Sequence, residues 1–523
     1  MKNFYQDSNQ DLDNYQSFLQ PMDDYNQALL AEVHPSNWIN PTPAPCYDLV
    51  VIGAGTAGLV VAAGAAGLKL GLKIALIEKH LMGGDCLNFG CVPSKCIIRS
   101  SRVAADIRDA AAFGIHPPSP IEIDFAAVMQ RMRQLRSQIS HHDSATRFQN
   151  LGVDVFFGSA KFINDHTVEV NDSQLRFKKA VIATGARAAH PQVTGLAETG
   201  YLTNETVFNL TERPQRLAVI GGGPIGCELA QAFQRLGCAV TLIHKNVHLL
   251  DCEDADAAEI IQTTLLREGI QVLLKAKLER VEQIGTEKVI HYQQDGVVKS
   301  VCVDQILVGA GRVPNVDGLN LEAADVKYDS HQGVMVNDYL QTSNPKIYAA
   351  GDICSSWKFT HAADAAARIV IKNTLFSPFG IGRSKVSDLV MPWVTFTDPE
   401  IAHVGMYAED AIAKGIATSE IKIPFTSVDR AIFDGETEGF VKILHQQNYD
   451  RILGATIVAR HAGEMISEIS FAIASKQGLN SLSKVIHSYP TQADAIKKAA
   501  DAYRKTLLTP RTQSILKILA KLS

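Results

Sequence analysis

The chain has no run of eighteen apolar residues, which excludes a membrane-spanning helix. Neither a signal-peptide apolar core nor an Arg-rich leader is present at its start. The first 45 residues carry Asp7, Asp11, Asp13, Asp23, Asp24 and Glu32 against Lys2 alone, the reverse of a transit peptide. Excess positive charge is missing as well: a net charge of −5 gives no electrostatic footprint for nucleic acid. The nine cysteines, at 46, 86, 91, 96, 227, 238, 252, 302 and 354, lack the spacing of a disulfide framework. They fit a reducing, cytoplasmic setting with one working pair. What is present is ordinary for a globular protein, 46% hydrophobic and 20% charged over 523 residues, enough for three or four domains with large cores. The acidic first 45 residues read as a polar tail, linked to the first strand by the extended segment Asn40-Pro41-Thr42-Pro43-Ala44-Pro45.

The working pair stands in Gly84-Asp85-Cys86-Leu87-Asn88-Phe89-Gly90-Cys91-Val92-Pro93-Ser94-Lys95. On a regular helix, positions i and i+5 lie about 8.6 Å apart between Cα atoms, whereas a disulfide needs less than roughly 7 Å. The segment must therefore enter its helix through a distorted turn, which Gly90 permits. A bridge under such constraint reads as a redox pair rather than a staple. Cys96, one turn beyond Cys91, reads as a small helix-packing residue.

Just upstream, Tyr47-Asp48-Leu49-Val50-Val51-Ile52 runs into Gly53-Ala54-Gly55-Thr56-Ala57-Gly58. Gly53 makes the tight turn, Gly55 lets a pyrophosphate approach the backbone, and Gly58 lets the following helix pack on the strand. Twenty residues on, Ile74-Ala75-Leu76-Ile77-Glu78 supplies a strand ending in an acid placed for ribose hydroxyls. The pattern repeats at Leu217-Ala218-Val219-Ile220-Gly221-Gly222-Gly223-Pro224-Ile225-Gly226, followed by the strand Ala239-Val240-Thr241-Leu242-Ile243. Here His244 and Lys245 stand where a ribose-binding acid would be. A basic pair attracts the 2′-phosphate that a carboxylate repels, so this second site is read as preferring NADPH over NADH.

Two dinucleotide fingerprints flanking a Cys-x4-Cys pair resemble the flavoprotein disulfide reductases, the family of glutathione reductase, dihydrolipoamide dehydrogenase and mercuric reductase. The resemblance covers about residues 46 to 510 and includes Ala183-Thr184-Gly185-Ala186, Gly309-Ala310-Gly311-Arg312-Val313-Pro314-Asn315 and Thr342-Ser343-Asn344-Pro345-Lys346-Ile347-Tyr348-Ala349-Ala350-Gly351-Asp352. It implies an α/β architecture: two Rossmann-like domains, for FAD and NADPH, and a C-terminal α/β dimerisation domain. The expected order is a tail over 1–45, an FAD domain over 46–189 and 316–390 around an NAD(P)H domain at 190–315, and an interface domain over 391–523. FAD would meet Gly158, Thr184, Gly185, Gly311 and Asp352. The resemblance also makes Cys91 the flavin-side thiol and Cys86 the exchanging thiol, with Lys95 near the flavin paired to an acid at Glu228. A positive charge there lowers a thiol pKa.

Other segments read more plainly. Val128, Met132, Leu135 and Ile139 recur at helical spacing within a long helix from Phe125 to Leu151. His141-His142-Asp143 at its end reads as a solvated terminus, a metal site being the lesser alternative. The terminal stripe Ile515, Leu516, Ile518, Leu519 and Leu522, interleaved with Lys517 and Lys521, reads as a packing face, and membrane contact is not expected.

The substrate end departs from the disulfide-reducing pattern His-Pro-x-x-x-Glu. This chain has His487-Ser488-Tyr489-Pro490-Thr491-Gln492-Ala493-Asp494, so Tyr489 stands at the base position and Asp494 at the orienting acid. A tyrosine, ordinarily titrating near pH 10, is a poor proton shuttle at neutral pH. Tyr489 resembles mercuric reductase, and Cys86 and Cys91 would then hold Hg(II) transiently as substrate. Yet no vicinal cysteine pair follows Cys354, and His487 is a second candidate base. Two classes stay open: a homodimeric NADPH-consuming flavoenzyme acting on a metal ion or a disulfide, and a redox-sensing flavoprotein with a thiol-redox protein partner.

Overall fold

The computed structural model describes residues 18–118 and 120–522. Asp7, Asp11 and Asp13 of the acidic segment lie outside these. The chain divides into two compact units, residues 18–221, 232–245 and 275–389 in one and residues 222–231, 246–274 and 390–522 in the other.

The first unit begins with a correction to the sequence reading. Residues 18–45 are not an extended tail. They hold a helix, α1 (Asp24–Val33), N-capped by Asp23, whose carboxylate accepts the Asn26 N–H at 3.0 Å. Leu19, Leu29, Leu30 and Val33 are buried in the core shared with Leu49 and Val51. The link after α1 is pinned too: Trp38 Nε1 donates to the Val155 carbonyl, and Asn40 exchanges bonds of 2.8 and 2.9 Å with the Phe157 backbone. Polar composition hid a short apolar stripe that the domain surface completes.

β1 (Tyr47–Ile52), α2 (Thr56–Gly67) and β2 (Ile74–Glu78) form the expected βαβ opening, with β1 and β2 parallel. β1 is an apolar run buried on both faces, as parallel strands under helices require. Next come α3 (Gly84–Asn88), α4 (Cys91–Asp109), α5 (Phe125–Ser140), α6 (Ala145–Asn150), β3 (Val153–Phe157), β4 (Ala160–Asn164), β5 (Thr167–Val170) and β6 (Ser173–Ile182). The sheet order is β3-β2-β1-β6-β5-β4, and the strand Ile347–Ala349 pairs in parallel with β6. The helix expected to run from Phe125 to Leu151 is broken by a turn at His141–Ser144. Its buried face holds Phe125, Met129, Met132, Arg133, Arg136 and Ser140, so of the predicted stripe Met132 enters the core while Ile139 is exposed.

In the same unit the strands Arg216–Ile220, Ala239–Ile243 and Gln305–Val308 align in parallel. The strands Lys277–Ile284, Glu287–Gln294 and Val297–Val303 make an antiparallel meander. The second unit holds a five-stranded antiparallel sheet over residues 392–459, whose apolar face is covered by the helices Ala462–Ala474 and Asp494–Thr506. The final helix, Pro510–Leu522, buries none of its residues; its expected packing face is exposed within this chain.

Candidate functional site

The two thiols are placed by a break between helices. Gly83 and Gly84, both left-handed, turn the chain into α3. A Cβ on Gly84 would stand 2.6 Å from Gly55 Cα, so the loop packs directly on the first glycine turn. Cys86 lies in α3, Gly90 takes the irregular conformation that separates the helices, and Cys91 is the first residue of α4. Both are free thiols; Cys86 is half-buried and Cys91 exposed.

The pair is electrostatically asymmetric. Cys86 donates its S–H to Cys91, and this bond is the main cause of the drop in the Cys91 pKa to about 6. Thr360 Oγ1, 3.2 Å from the Cys91 sulfur, and the charge of Lys95 add to it. Cys91 is the first residue of α4 and Thr360 the first of the helix Thr360–Leu375, so the contact joins two helix N-termini, where a negative charge is favoured. Cys86 is driven upward by the same bond and by burial. When the pair is reduced, Cys91 is the sulfur favoured as a thiolate and Cys86 the one favoured as a thiol.

A chain of charges backs the loop. Asp85 accepts from Arg312 Nη1 at 3.1 Å and from Asn204 at 3.0 Å. Arg312 Nε lies 3.5 Å from Asp352, whose carboxyl is pushed up by burial against the pull of Arg312. Sequence reasoning missed Thr360, Asp85 and Asn204. The Phe359-Thr360-His361 start of an Ala-rich helix and the charge beside Cys86 were the only signals available.

The first dinucleotide turn fits a nucleotide cofactor. Gly55 caps α2 without any side-chain hydrogen bond, leaving the helix N-terminal N–H groups for a phosphate. A Cβ on Gly58 would strike the Gly53 carbonyl, which is the close packing the motif calls for. Glu78 accepts from the Ala54 N–H at 2.7 Å and the His80 N–H at 2.8 Å, and burial raises its pKa. Its carboxylate is thus tied to the glycine turn. Gly158, left-handed, donates its N–H to the Glu78 carbonyl. Thr184 Oγ1 donates to the Asn315 carbonyl and Gly185 accepts the Asn315 N–H, while the Gly311 carbonyl accepts from Ala189. Of these, the glycine turn and Glu78 stand at the carboxyl ends of β1 and β2, where doubly wound sheets bind ligands.

At the second turn, Gly221 is left-handed and donates to the Ile243 carbonyl. In the second unit, the space a Cβ would take at Gly223 is open, and Gly226 lies in the helix Pro224–Arg235. His244 and Lys245 differ from their reading as a joint basic pair: His244 is buried at the strand end, and Lys245 is exposed. Glu228 is buried and accepts the Phe396 N–H at 2.9 Å.

The C-terminal segment revises the expected acid. Asp494 bonds neither candidate base; its ion pair is with Lys498 at 3.3 Å, one helical turn away. Tyr489 is 71% exposed and donates to Asp429 at 3.0 Å, which raises its pKa. The His–carboxylate pair in this segment is His487 with Glu468, 3.0 Å apart, the imidazole almost fully buried. Glu468 lies 19 positions upstream, beyond any local spacing rule. No group of three or more potential metal-ligating side chains occurs among the described residues, and His141 and His142 are exposed at the end of α5.

The family model for pyridine nucleotide-disulphide oxidoreductases matches residues 47–367, and the model for their dimerisation domain matches residues 391–500. A mercuric reductase of Lysinibacillus sphaericus is 36% identical over 462 residues, spanning 88% of this chain and 83% of that protein. A dihydrolipoyl dehydrogenase of Chlamydia trachomatis is 34% identical, spanning 87% and 96%. Among solved structures, LpdA of Mycobacterium tuberculosis superposes with a TM-score of 0.79 at 26% identity, covering 87% of this chain and 99% of that one. A Cu(II) complex of the HOCl-induced flavoprotein disulfide reductase RclA of Escherichia coli gives 0.76 at 26%, covering 88% and 100%.

Proposed function

The chain belongs to the pyridine nucleotide-disulphide oxidoreductases, enzymes that use FAD and a nicotinamide nucleotide, and we propose that it passes electrons from NADPH through Cys86 and Cys91 to a thiophilic metal ion, with Hg(II) as the test substrate. The observation that carries this reading is the tyrosine at the position where a disulfide reductase keeps its histidine base, beside a Cys86–Cys91 pair joined by a hydrogen bond. A soft dication needs two sulfur ligands and no proton donor. A disulfide needs a general acid for its leaving thiolate.

Bound FAD would supply the two-electron link between nicotinamide and acceptor. The residues do the rest. The α2 N-terminus, with Gly53, Gly55 and Gly58, would receive the pyrophosphate, and Asp352, 3.5 Å from Arg312, would hold another part of the cofactor. Cys86, the exchanging thiol, meets the metal and releases its proton on binding, as thiol ligands must. Cys91, favoured as a thiolate on the flavin side, is the second sulfur ligand. Two electrons arriving at the bound Hg(II) give Hg(0) and return both sulfurs as a thiolate and, after reprotonation, a thiol. We read Lys245 as the selector for NADPH and the functional unit as a homodimer, in which residues 391–500 pair with a second copy.

The second reading, a disulfide reductase, is favoured by one observation: the His487–Glu468 pair has the composition of an acid/base dyad. Anaerobic reduction with NADPH followed by Hg(II), oxidised glutathione or lipoamide separates the two. Faster turnover of either disulfide than of Hg(II) overturns the metal reading.

A further inference from the structure

The helix Asp494–Thr506 buries its last side chain at Tyr503, and every residue from Arg504 to Leu522 is exposed. The chain nevertheless starts another helix there. Thr509 Oγ1 accepts the Thr512 N–H at 3.3 Å, Pro510 fills the first helical position, and the helix runs to Leu522. A helix of 13 residues is marginal in water on its own, and packing of an amphipathic face is what ordinarily stabilises one. This one has such a face. Ile515, Ile518, Leu519 and Leu522 recur at i, i+3, i+4 and i+7, with Leu516 on the flank, each between 51% and 79% exposed. Lys517 and Lys521 stand on the opposite side.

We infer that Pro510–Leu522 is an interfacial anchor that lies along an anionic lipid bilayer, its aliphatic stripe among the acyl chains and its lysines at the headgroups. The inference does not depend on which acceptor the redox pair serves. Length fixes the mode of contact. At 1.5 Å per residue the helix is about 20 Å long, short of the ~30 Å hydrocarbon layer, and no helix among the described residues is long and apolar enough to cross one. It can lie on a membrane but not span it.

Charge selects the occupant. After Asp501 the sequence has Arg504, Lys505, Arg511, Lys517 and Lys521 and no acidic side chain, a basic end on a chain whose net charge is −5. An anionic bilayer answers both faces at once: acyl chains take the isoleucines and leucines, and phosphates take the lysines, whose stems reach from the helix to the headgroup level. A second copy of this helix would cover the stripe but bring like charges together. The match to the dimerisation domain, moreover, ends at residue 500, before the basic segment begins. Near an anionic surface each Lys or Arg strengthens partitioning by about five-fold.

The test pellets the FAD-loaded full chain with sucrose-filled vesicles of phosphatidylcholine, alone or mixed with phosphatidylglycerol. Wild type should pellet with the mixed vesicles and stay in solution with the neutral ones. Lys517→Ala/Lys521→Ala should bind the mixed vesicles about 25-fold more weakly, two losses of about five-fold each. Ile518→Asp/Leu522→Asp should not pellet at all. Absence of pelleting by wild type, equal pelleting with both vesicle types, or undiminished pelleting of the Asp variant overturns the proposal. A shift of the Asp variant from dimer to monomer in sedimentation velocity assigns the stripe to a second copy and overturns it too. A second measurement needs no variant: hydrogen exchange of the wild-type amides at 514–522 should slow by about ten-fold or more on adding the mixed vesicles. Unchanged exchange there in protein that pellets shows that another surface binds, and the proposal fails.

Discussion

Replacing Thr360 by valine should move the titration of Cys91 upward by about one unit. The Thr360 hydroxyl is 3.2 Å from the sulfur, and its bond to a thiolate is the charge-assisted one. A hydrogen bond to a charged group contributes about 1.5–3 kcal/mol. The Cys86 thiol and Lys95 take up part of that, leaving ~1.4 kcal/mol, or ~1 unit. The Cys86 thiol, Lys95 and the α4 N-terminus remain in place and hold the rest of the depression. The midpoint should therefore rise, and the thiolate fraction at neutral pH should fall. The sign is fixed by the chemistry: the thiolate form exists above the pKa and disappears as pH falls through it. The assay is a pH titration of the long-wavelength thiolate-to-flavin absorbance in two-electron-reduced enzyme, with Thr360→Ser as the variant that keeps the donor. A midpoint in Thr360→Val equal to that of wild type would refute the argument and leave Cys86 as the sole hydrogen-bond donor that matters.

Arg136→Leu should destabilise the first unit by ~2–6 kcal/mol, because it strands two buried acceptors, the Asn88 carbonyl and the Asn26 side chain, at ~1–3 kcal/mol each; the urea midpoint reads this, and Arg136→Lys should not restore it, since an ammonium cannot fork to both partners. Lys245→Ala should lower kcat/KM for NADPH by ~10–100-fold with little change for NADH, as loss of one charge-assisted contact predicts; equal losses for both nucleotides would show that Lys245 does not discriminate. Tyr489→His should raise turnover of lipoamide or glutathione disulfide by ~100-fold, the usual contribution of a general acid, and Glu468→Gln should abolish any disulfide activity the wild type has if His487 is its base.

The glycine turns were legible because they rest on backbone geometry that no other residue type supplies. The break between Cys86 and Cys91 was legible for the same reason, since helix dimensions alone forbid a bridge at that spacing. What was hidden depends on partners far away in sequence. The α5 periodicity was visible, but not which line of it meets the core, and two arginines occupy buried positions where a sequence reading puts solvent. Arg133 is held by Asp23 and Arg136 by Asn26, each 110 residues earlier. The residues that supply those partners were themselves dismissed as a tail, because Leu29, Leu30 and Val33 form too short a stripe to stand out against acidic neighbours. Asp494 was chosen by motif spacing, whereas Glu468 reaches His487 through the packing of its helix against the C-terminal segment.

These contacts bear on how a substrate enters. The redox loop is fixed from three sides: Gly84 rests on Gly55, Arg312 and Asn204 hold Asp85, and fully buried Arg136 donates to the Asn88 carbonyl at 2.7 Å while its other branch holds Asn26 of α1. Burial depresses the Arg136 pKa to about 10, so the guanidinium stays charged at neutral pH and its bonds to the loop stay charge-assisted. A loop held this way cannot swing out to meet a bulky substrate, because each movement would unpair a buried group. The substrate must instead come to the sulfur. Rigid anchoring by the N-terminal segment therefore fixes where exchange happens: the loop stays in place, and the substrate moves to it.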